Sequence, residues 1–426
     1  MVSVAPKSTS TDDAWLNASM VEATAPKREL RVLQVFSVLS MGGAETWLMS
    51  LLKYFKEHQE QLPVSVTFDI LLTGGTKAIF DDEASDLGAK LFYVPFTRRN
   101  MVGFVREFRG ILAEGNYDAI HDHQDYIAGL HFFMGAGHLP PIRVAHVHNS
   151  LYNRIKYASD LGRRAANSVG KRLLARFATH IMGTSRQIVT QYGLDGFHSR
   201  GVSLGAANCG FDVAEYQGNY DATHAELCRE FGWGDSAKIV LFVGRLEAEE
   251  ISHLGQPMAP KNPAFALDVV RQCMAKDERV RLVMVGEGET KRSEFEAQVR
   301  EWGLARKVVL TGVRRDVQRI MSGSDLLLFP SMAEGLGMVV VEAQAAGLRV
   351  LASDTIPLEA VVNPELVAFA PLSAGAEEWA DTVLRCIDLP RLEAQECNEL
   401  VRHSPFSIEN SAGRLLTIYT GSQLSH

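Results

Sequence analysis

Twice along this chain a short run of β-branched and apolar residues ends in a glycine turn, and the residues that follow repeat at helical spacing. The first instance is Leu30-Arg31-Val32-Leu33-Gln34-Val35-Phe36, then Met41-Gly42-Gly43-Ala44-Glu45, then apolar positions over residues 46–55. The second begins at Lys238-Ile239-Val240-Leu241-Phe242-Val243, turns at Gly244-Arg245, and becomes helical over residues 263–274. A strand that feeds a helix through a tight turn is a βα unit. Units repeated in series build a mostly parallel sheet with helices on both faces.

Further units extend each half. In the first, strands are expected at 64–72, 90–94, 118–121, 142–148 and finally 180–183, with helices at 78–87 and 101–114. In the second, strands are expected at 280–285, 308–310, 325–329 and 349–352, with helices at 291–302 and 338–346. A stretch over 205–235, mixing Gly, Asn, Asp and Tyr with little periodicity, reads as the linker. The expected organisation is a flexible tail over 1–29, an α/β domain over 30–205, a second over 206–404, and a C-terminal helix within 405–426. Residues 407–419 of that last segment have the spacing to cross back onto the first domain.

Length and charge fit two domains. The chain has 426 residues, 46% hydrophobic and 22% charged, as in ordinary globular proteins. Its net charge of -8 argues against a general nucleic-acid binder. The division says more: residues 1–210 carry 22 basic and 19 acidic side chains, residues 211–426 carry 21 and 32. The five cysteines are odd in number and form no CxxC pair, which suits reduced thiols rather than a disulfide framework or a zinc site. No run of 18 apolar residues and no signal-peptide pattern is present, so a cytoplasmic protein is expected.

The motif with most chemical content is Glu334-Gly335-Leu336-Gly337-Met338-Val339-Val340-Val341-Glu342, after the strand expected at 325–329. Two glutamates eight apart flank a glycine turn that opens a helix. Gly335 and Gly337 would let backbone amides approach a ligand, and a helix N-terminus favours an anion. The plainer alternative makes Glu334 a turn residue and Glu342 part of a solvated face. The apolar residues 338–341 count against it. Gly42-Gly43 lacks the full GxGxxG of a nicotinamide dehydrogenase, and no GxxxxGK[ST] of a P-loop NTPase occurs. His121-Asp122-His123-Gln124 and His146-Val147-His148 end two strands, where ligands of such sheets bind.

The Glu-seven residues-Glu pattern, followed by Ala345-Ala346-Gly347, resembles the signature of the retaining, nucleotide-sugar-dependent glycosyltransferases of family 4. The branch it is most similar to is the bacterial exopolysaccharide (EpsF-like) one, through Gly-Gly-Ala-Glu at 42–45 and Ser353-Asp354-Thr355-Ile356-Pro357. The resemblance runs from Leu30 to the C-terminus. It implies the GT-B architecture, two Rossmann-like domains facing across a cleft, and hexosyl transfer without a metal or other cofactor. It assigns Arg245 and Lys261 to the donor's diphosphate, although Glu250 to Pro260 adds about ten residues between them. It assigns Glu342 to the ribose hydroxyls, Glu334 to the transferred sugar, and His123 to the same sugar from the first domain. Gly42 and Gly43 would meet phosphates or sugar, Val313 (and less so Arg314) the base, and His148 the acceptor side.

By family habit the donor is a UDP-sugar and the acceptor a glycan or a lipid-linked glycan. A basic stretch from Tyr152 to Phe177 reads either as a solvated helical face or as a surface for an anionic membrane or an acceptor's diphosphate. Peripheral attachment to the inner membrane face would follow from the second. Two other functions share the architecture: a nucleotide-sugar epimerase, and a non-catalytic nucleotide-sugar-binding subunit.

Overall fold

The computed structural model describes residues 27–148, 161–246, 249–251, 256–258 and 260–421. Most of the expected tail, and the first part of the basic stretch, lie outside these residues.

The first sheet holds seven strands: β1 (Glu29–Phe36), β2 (Ser65–Leu72), β3 (Lys90–Tyr93), β4 (Ala119–Asp122), β5 (Ile142–Val147), β6 (His180–Gly183) and β7 (Ser203–Ala206). They lie in the order β3-β2-β1-β4-β5-β6-β7, every neighbouring pair parallel. The second sheet holds β8 (Lys238–Val243), β11 (Val280–Val285), β12 (Val308–Gly312), β13 (Leu326–Phe329), β14 (Arg349–Ser353) and β15 (Val367–Ala370), in the order β12-β11-β8-β13-β14-β15. Its neighbouring pairs are parallel too. Each sheet therefore reverses its direction of growth once, between β1 and β4 and between β8 and β13. Such a reversal splays the loops at the strands' carboxyl ends and opens a crevice between them.

Burial explains the uninterrupted apolar runs. Val32, Leu33 and Val35 of β1, and residues 239–242 of β8, are fully buried, because helices cover both faces of each sheet. The first helix, Gly43–Glu57, buries Trp47, Leu48, Leu51, Leu52 and Phe55 against β1 and β2.

Four expectations need correction. β6 is not the last strand of the first half: β7 follows and takes in residues 205–206, where the linker was expected to begin. Most of that linker is structured, since Tyr220–Phe231 is a helix capped by the Asn219 side chain and closed by Gly232 in the left-handed conformation. The helix expected over 78–87 spans only Asp81–Asp86. β15 was not anticipated, since its residues Val367-Ala368-Phe369-Ala370 offer only four positions of signal.

Between β8 and Lys261, residues Glu249–Ile251 (β9) and Gln256–Met258 (β10) pair antiparallel. The C-terminal helix, Ile408–Tyr419, packs on the first domain: Trp47 Nε1 donates to Ser411 Oγ at 2.9 Å, and Ser411 Oγ donates to the Asn208 carbonyl at 2.8 Å. Among the described residues no helix is long and apolar enough to cross a membrane.

Candidate active site

Four candidate residues of the second domain, Arg245, Lys261, Glu334 and Glu342, gather at its switch point. β8 ends at Gly244-Arg245, and β13 ends one residue before Pro330-Ser331, which leads to Glu334. Despite the intervening β9–β10 pair, Lys261 returns to these strand ends. The Pro260 carbonyl accepts from the Met332 amide at 2.8 Å and from Ser331 Oγ at 3.0 Å, which fixes the chain just before Lys261. Lys261 Nζ then meets Glu334 Oε1 at 2.5 Å and lies 5.1 Å above the Phe329 ring. Ser331 Oγ lies 2.6 Å from the same carboxylate oxygen, so its one proton is shared between that oxygen and the Pro260 carbonyl. Ser353 and Thr355 hydroxyls both donate to the Ser331 carbonyl, so the stretch at 353–355 holds the turn that carries Glu334.

Glu342 is the fifth residue of the helix Met338–Ala345. It is no solvated surface residue. Burial pushes its carboxyl up to about 7, against the lowering effects of Lys261 and of a hydrogen bond from Tyr216. Tyr216 lies in the segment read as a linker, and nothing in its sequence setting marked it.

The glycines divide in role. Gly337 has φ +88°, a left-handed conformation at the helix start that a side chain would strain. Gly335 was expected to make room for a ligand. Instead it makes room for the first domain: a Cβ there would fall 2.3 Å from the His148 carbonyl oxygen and 2.9 Å from Thr184 Oγ1. Ser185 Oγ donates to the Gly335 carbonyl at 2.9 Å, and the amides of Arg186 and Gln187 donate to Glu359 at 2.9 and 3.1 Å. These contacts dock the two domains at the glutamate motif. In the first domain a Cβ on Gly42 would strike Glu45, whereas Gly43 is exposed with no atom within 4 Å of that position. Gly43 is the glycine with room beside it.

Glu45 itself escaped the sequence reading except as part of a motif. It sits in the first turn of the helix Gly43–Glu57, where burial raises its carboxyl and Arg245 of the second domain opposes the rise. Arg245 is exposed and lies near enough to exert that pull, so the two switch points face one another. Val313, after β12, is an exposed apolar side chain at 48%. Arg314 is held by Asp316 at 2.7 Å and Glu230 at 2.9 Å, which turns it to a local structural task.

On the first domain's side, His123 does not stand alone. His123 Nδ1 is 2.8 Å from His148 Nε2, and His123 Nε2 is 2.8 Å from Gln34 Oε1. Its ring stacks on Phe36 with centroids 4.1 Å apart. His121 Nε2 pairs with His146 Nδ1 at 3.1 Å, and the edge or face of Trp47 borders all four imidazoles. Burial lowers the pKa of each, His148 to about 3, so the four rings are neutral at physiological pH. His121, His123 and His146 could each bring one nitrogen within 4.8 Å of the others, a spacing that invites a metal. The accounting of nitrogens works against it. Both nitrogens of His121 and of His123 already hold protein partners, and an ion would have to break those bonds.

Of the helix Leu161–Phe177, the described part of the basic stretch, Arg164, Arg172 and Arg176 are exposed. The same helix exposes Val169, and beside it the exposed Phe133 lies with its ring 6.0 Å from that of Phe177.

Comparisons with known proteins bear on the two domains. Residues 42–202 match the model of the glycosyl transferase 4-like domain, and residues 237–388 that of glycosyl transferases group 1. EpsF of Bacillus subtilis strain 168, assigned as a glycosyltransferase, is 29% identical over 394 residues, 91% of this chain and 96% of that protein. The capsular polysaccharide biosynthesis glycosyltransferase CapH of Staphylococcus aureus is 22% identical over 84% of this chain and 91% of its own. Among solved structures, Anabaena HepE in complex with UDP and glucose superposes with a TM-score of 0.69 at 18% identity, covering 93% of this chain and all of that one. WaaG, a glycosyltransferase involved in lipopolysaccharide biosynthesis, gives 0.66 at 15% identity, with 92% and 100% coverage. The two parallel-sheet domains are those of the GT-B architecture, and the chain belongs to the group 1, 4-like family of glycosyltransferases.

Proposed function

We propose that this glycosyltransferase moves a hexose, with retention of configuration, from a UDP-sugar to a hydroxyl of a growing glycan or lipid-linked glycan in exopolysaccharide synthesis. The observation that carries the reading is the meeting of Arg245, Lys261, Glu334 and Glu342 at the second switch point, opposite Gly43 and His123. The printed descriptions of EpsF, CapH and the UDP-bound HepE support it.

In this reading the diphosphate takes Arg245 and Lys261. Lys261 then exchanges Glu334 for phosphate, and Glu334 turns to the hydroxyls of the transferred sugar. Glu342 accepts from the ribose hydroxyls and Val313 borders the base. His123, neutral, holds the sugar from the first domain, while His148 stands toward the acceptor. The bond from the anomeric carbon to phosphate oxygen breaks, the acceptor oxygen bonds on the same face, and its proton passes to the leaving phosphate. Cations already in place where charge develops supply the main acceleration, and no metal or other cofactor takes part. The basic helix and the exposed Phe133 beside it would rest on the inner face of a membrane, bringing a lipid-linked acceptor to a cytoplasmic enzyme.

A thermal-shift screen of nucleotides and nucleotide sugars tests the donor, because stabilisation grows with ligand over its dissociation constant. UDP and a UDP-hexose should raise the melting temperature above other bases. Product analysis tests the rest: an axial-for-axial glycoside supports retention. Isomerised donor without acceptor would establish an epimerase instead, and binding without turnover a non-catalytic subunit.

A further inference from the structure

One residue wired into the site comes from the far end of the chain. Tyr419, buried near the end of the C-terminal helix, has one hydroxyl and two partners. Gln34 Nε2 donates to that oxygen at 3.1 Å, and the oxygen lies 2.6 Å from His121 Nδ1. A hydroxyl that accepts from the amide must donate to the imidazole. Proton positions then follow along two branches.

On one branch His121 is bare at Nδ1 and protonated at Nε2, so it donates to His146 Nδ1. On the other, Gln34 turns its carbonyl oxygen to His123, so His123 carries its proton on Nε2 and accepts at Nδ1 from His148 Nε2. His148 Nδ1 is then bare and faces Cys209 Sγ at 4.0 Å. One phenol thus sets the tautomer of four imidazoles. The opposite amide orientation would reverse every proton along both branches and move that of His146 from Nε2 to Nδ1, so either way the amide and the phenol together fix all four rings.

We propose that Tyr419 and Gln34 are positioning residues: through them the seated C-terminal helix holds His123 in a single tautomer and ring orientation. The proposal rests on the reading of His123 as the residue that meets the transferred sugar. A purely structural tyrosine would gain nothing from this geometry. Burying a hydroxyl and an amide costs free energy unless both are satisfied, and a phenylalanine facing an aliphatic side chain would fill the same space without that cost. The polar pair connects two things that apolar packing would leave independent, the docking of residues 408–419 and the orientation of a ring in the site.

The test uses the full-length protein labelled with 15N-histidine, in three variants: Tyr419→Phe, Gln34→Met and His123→Ala. The wild-type spectrum should show His121, His123 and His148 as Nε2–H tautomers. Tyr419→Phe should convert His121 and His123 to tautomer mixtures and lower kcat about tenfold, with the donor KM within about twofold of wild type. Gln34→Met breaks only the His123 branch, so His123 should change while His121 keeps its spectrum; it also serves if Tyr419→Phe fails to fold. Wild-type tautomers in both variants would overturn the proposal whatever the activity. Full activity in His123→Ala with altered tautomers in the other two would instead overturn the role given to His123 and leave the positioning network standing.

Discussion

At the switch point of the first sheet four neutral imidazoles, an amide and a phenol form one hydrogen-bonded cluster, with the Glu45 carboxyl beside it toward the second domain. At the same place in the second sheet stand two basic and two acidic side chains: Arg245, Lys261, Glu334 and Glu342. The strand order is the same in both, three strands to one side of the reversal and the rest to the other. Topology therefore supplies the place, and side-chain chemistry divides the work. Neutral, mutually hydrogen-bonded rings suit the holding of an uncharged sugar in one orientation, because their geometry is fixed before anything binds. Paired charges suit a diphosphate, because a cation held by a carboxylate is in position and can change partners.

The difference also bears on the net charges of the halves. The acidic second half, 21 basic side chains against 32 acidic, is an odd host for an anion. Its cations near the reversal must act locally, since surface charges farther than about 8 Å away are screened at physiological salt.

The largest expected effect lies on the charged side. Arg245→Ala should lower turnover by about 10²-fold, a loss of about 2.7 kcal/mol in transition-state stabilisation. Steady-state rates with a UDP-sugar check it, and wild-type turnover in a folded variant would break the assignment. Gly335→Ala comes next. A Cβ 2.3 Å from the His148 carbonyl forces the domains apart, so a drop of about tenfold in kcat is expected with the melting temperature of each domain little changed. Calorimetric melting together with rates would separate that from unfolding.

A smaller effect separates the two sides by pH. The carboxyl of Glu342 has its folded pKa raised to about 7 from the ordinary 4.5. Between those values the folded state holds a proton that the unfolded state has lost, so stability falls as pH rises through the window. Glu342→Gln removes that penalty and should be the more stable protein at pH 8, with no gain at pH 4. If Glu342 accepts from ribose, donor binding favours its ionised form. Donor affinity in the wild type should then rise several-fold from pH 6 to pH 8, and the variant's should stay flat. The histidine side should contribute no pH dependence in that range, because burial keeps all four rings neutral.

The charged side was far more legible in the sequence. Glu334, Gly337 and Glu342 lie within nine residues, and Arg245 directly follows a strong apolar strand, so the family resemblance had short, local motifs to rest on. Lys261 is separated from Arg245 by the β9–β10 pair, yet Pro260 and Ser331 return it to the strand ends through contacts no spacing rule reveals. The histidine side was legible only in part. His123 and His148 stand at strand ends, but their tautomers depend on Gln34 and on a tyrosine 385 residues away from it. Gln34 reads as an ordinary polar position inside β1, and Tyr419 as one more aromatic on a helix. The helix Tyr220–Phe231 was missed for another reason: its exposed residues outnumber its buried ones, so its period is weak, and Asn219 and Gly232 marked its ends better than its hydrophobicity marked its middle.

The division of labour is tested most directly by equilibrium binding of UDP, measured by calorimetry at pH 8 on the wild type, Lys261→Ala and His123→Ala. UDP carries the diphosphate but no sugar. Lys261→Ala should weaken it at least tenfold, about 1.4 kcal/mol, while His123→Ala should leave it within about twofold of wild type. Equal losses in the two variants, or the larger loss in His123→Ala, would contradict the account.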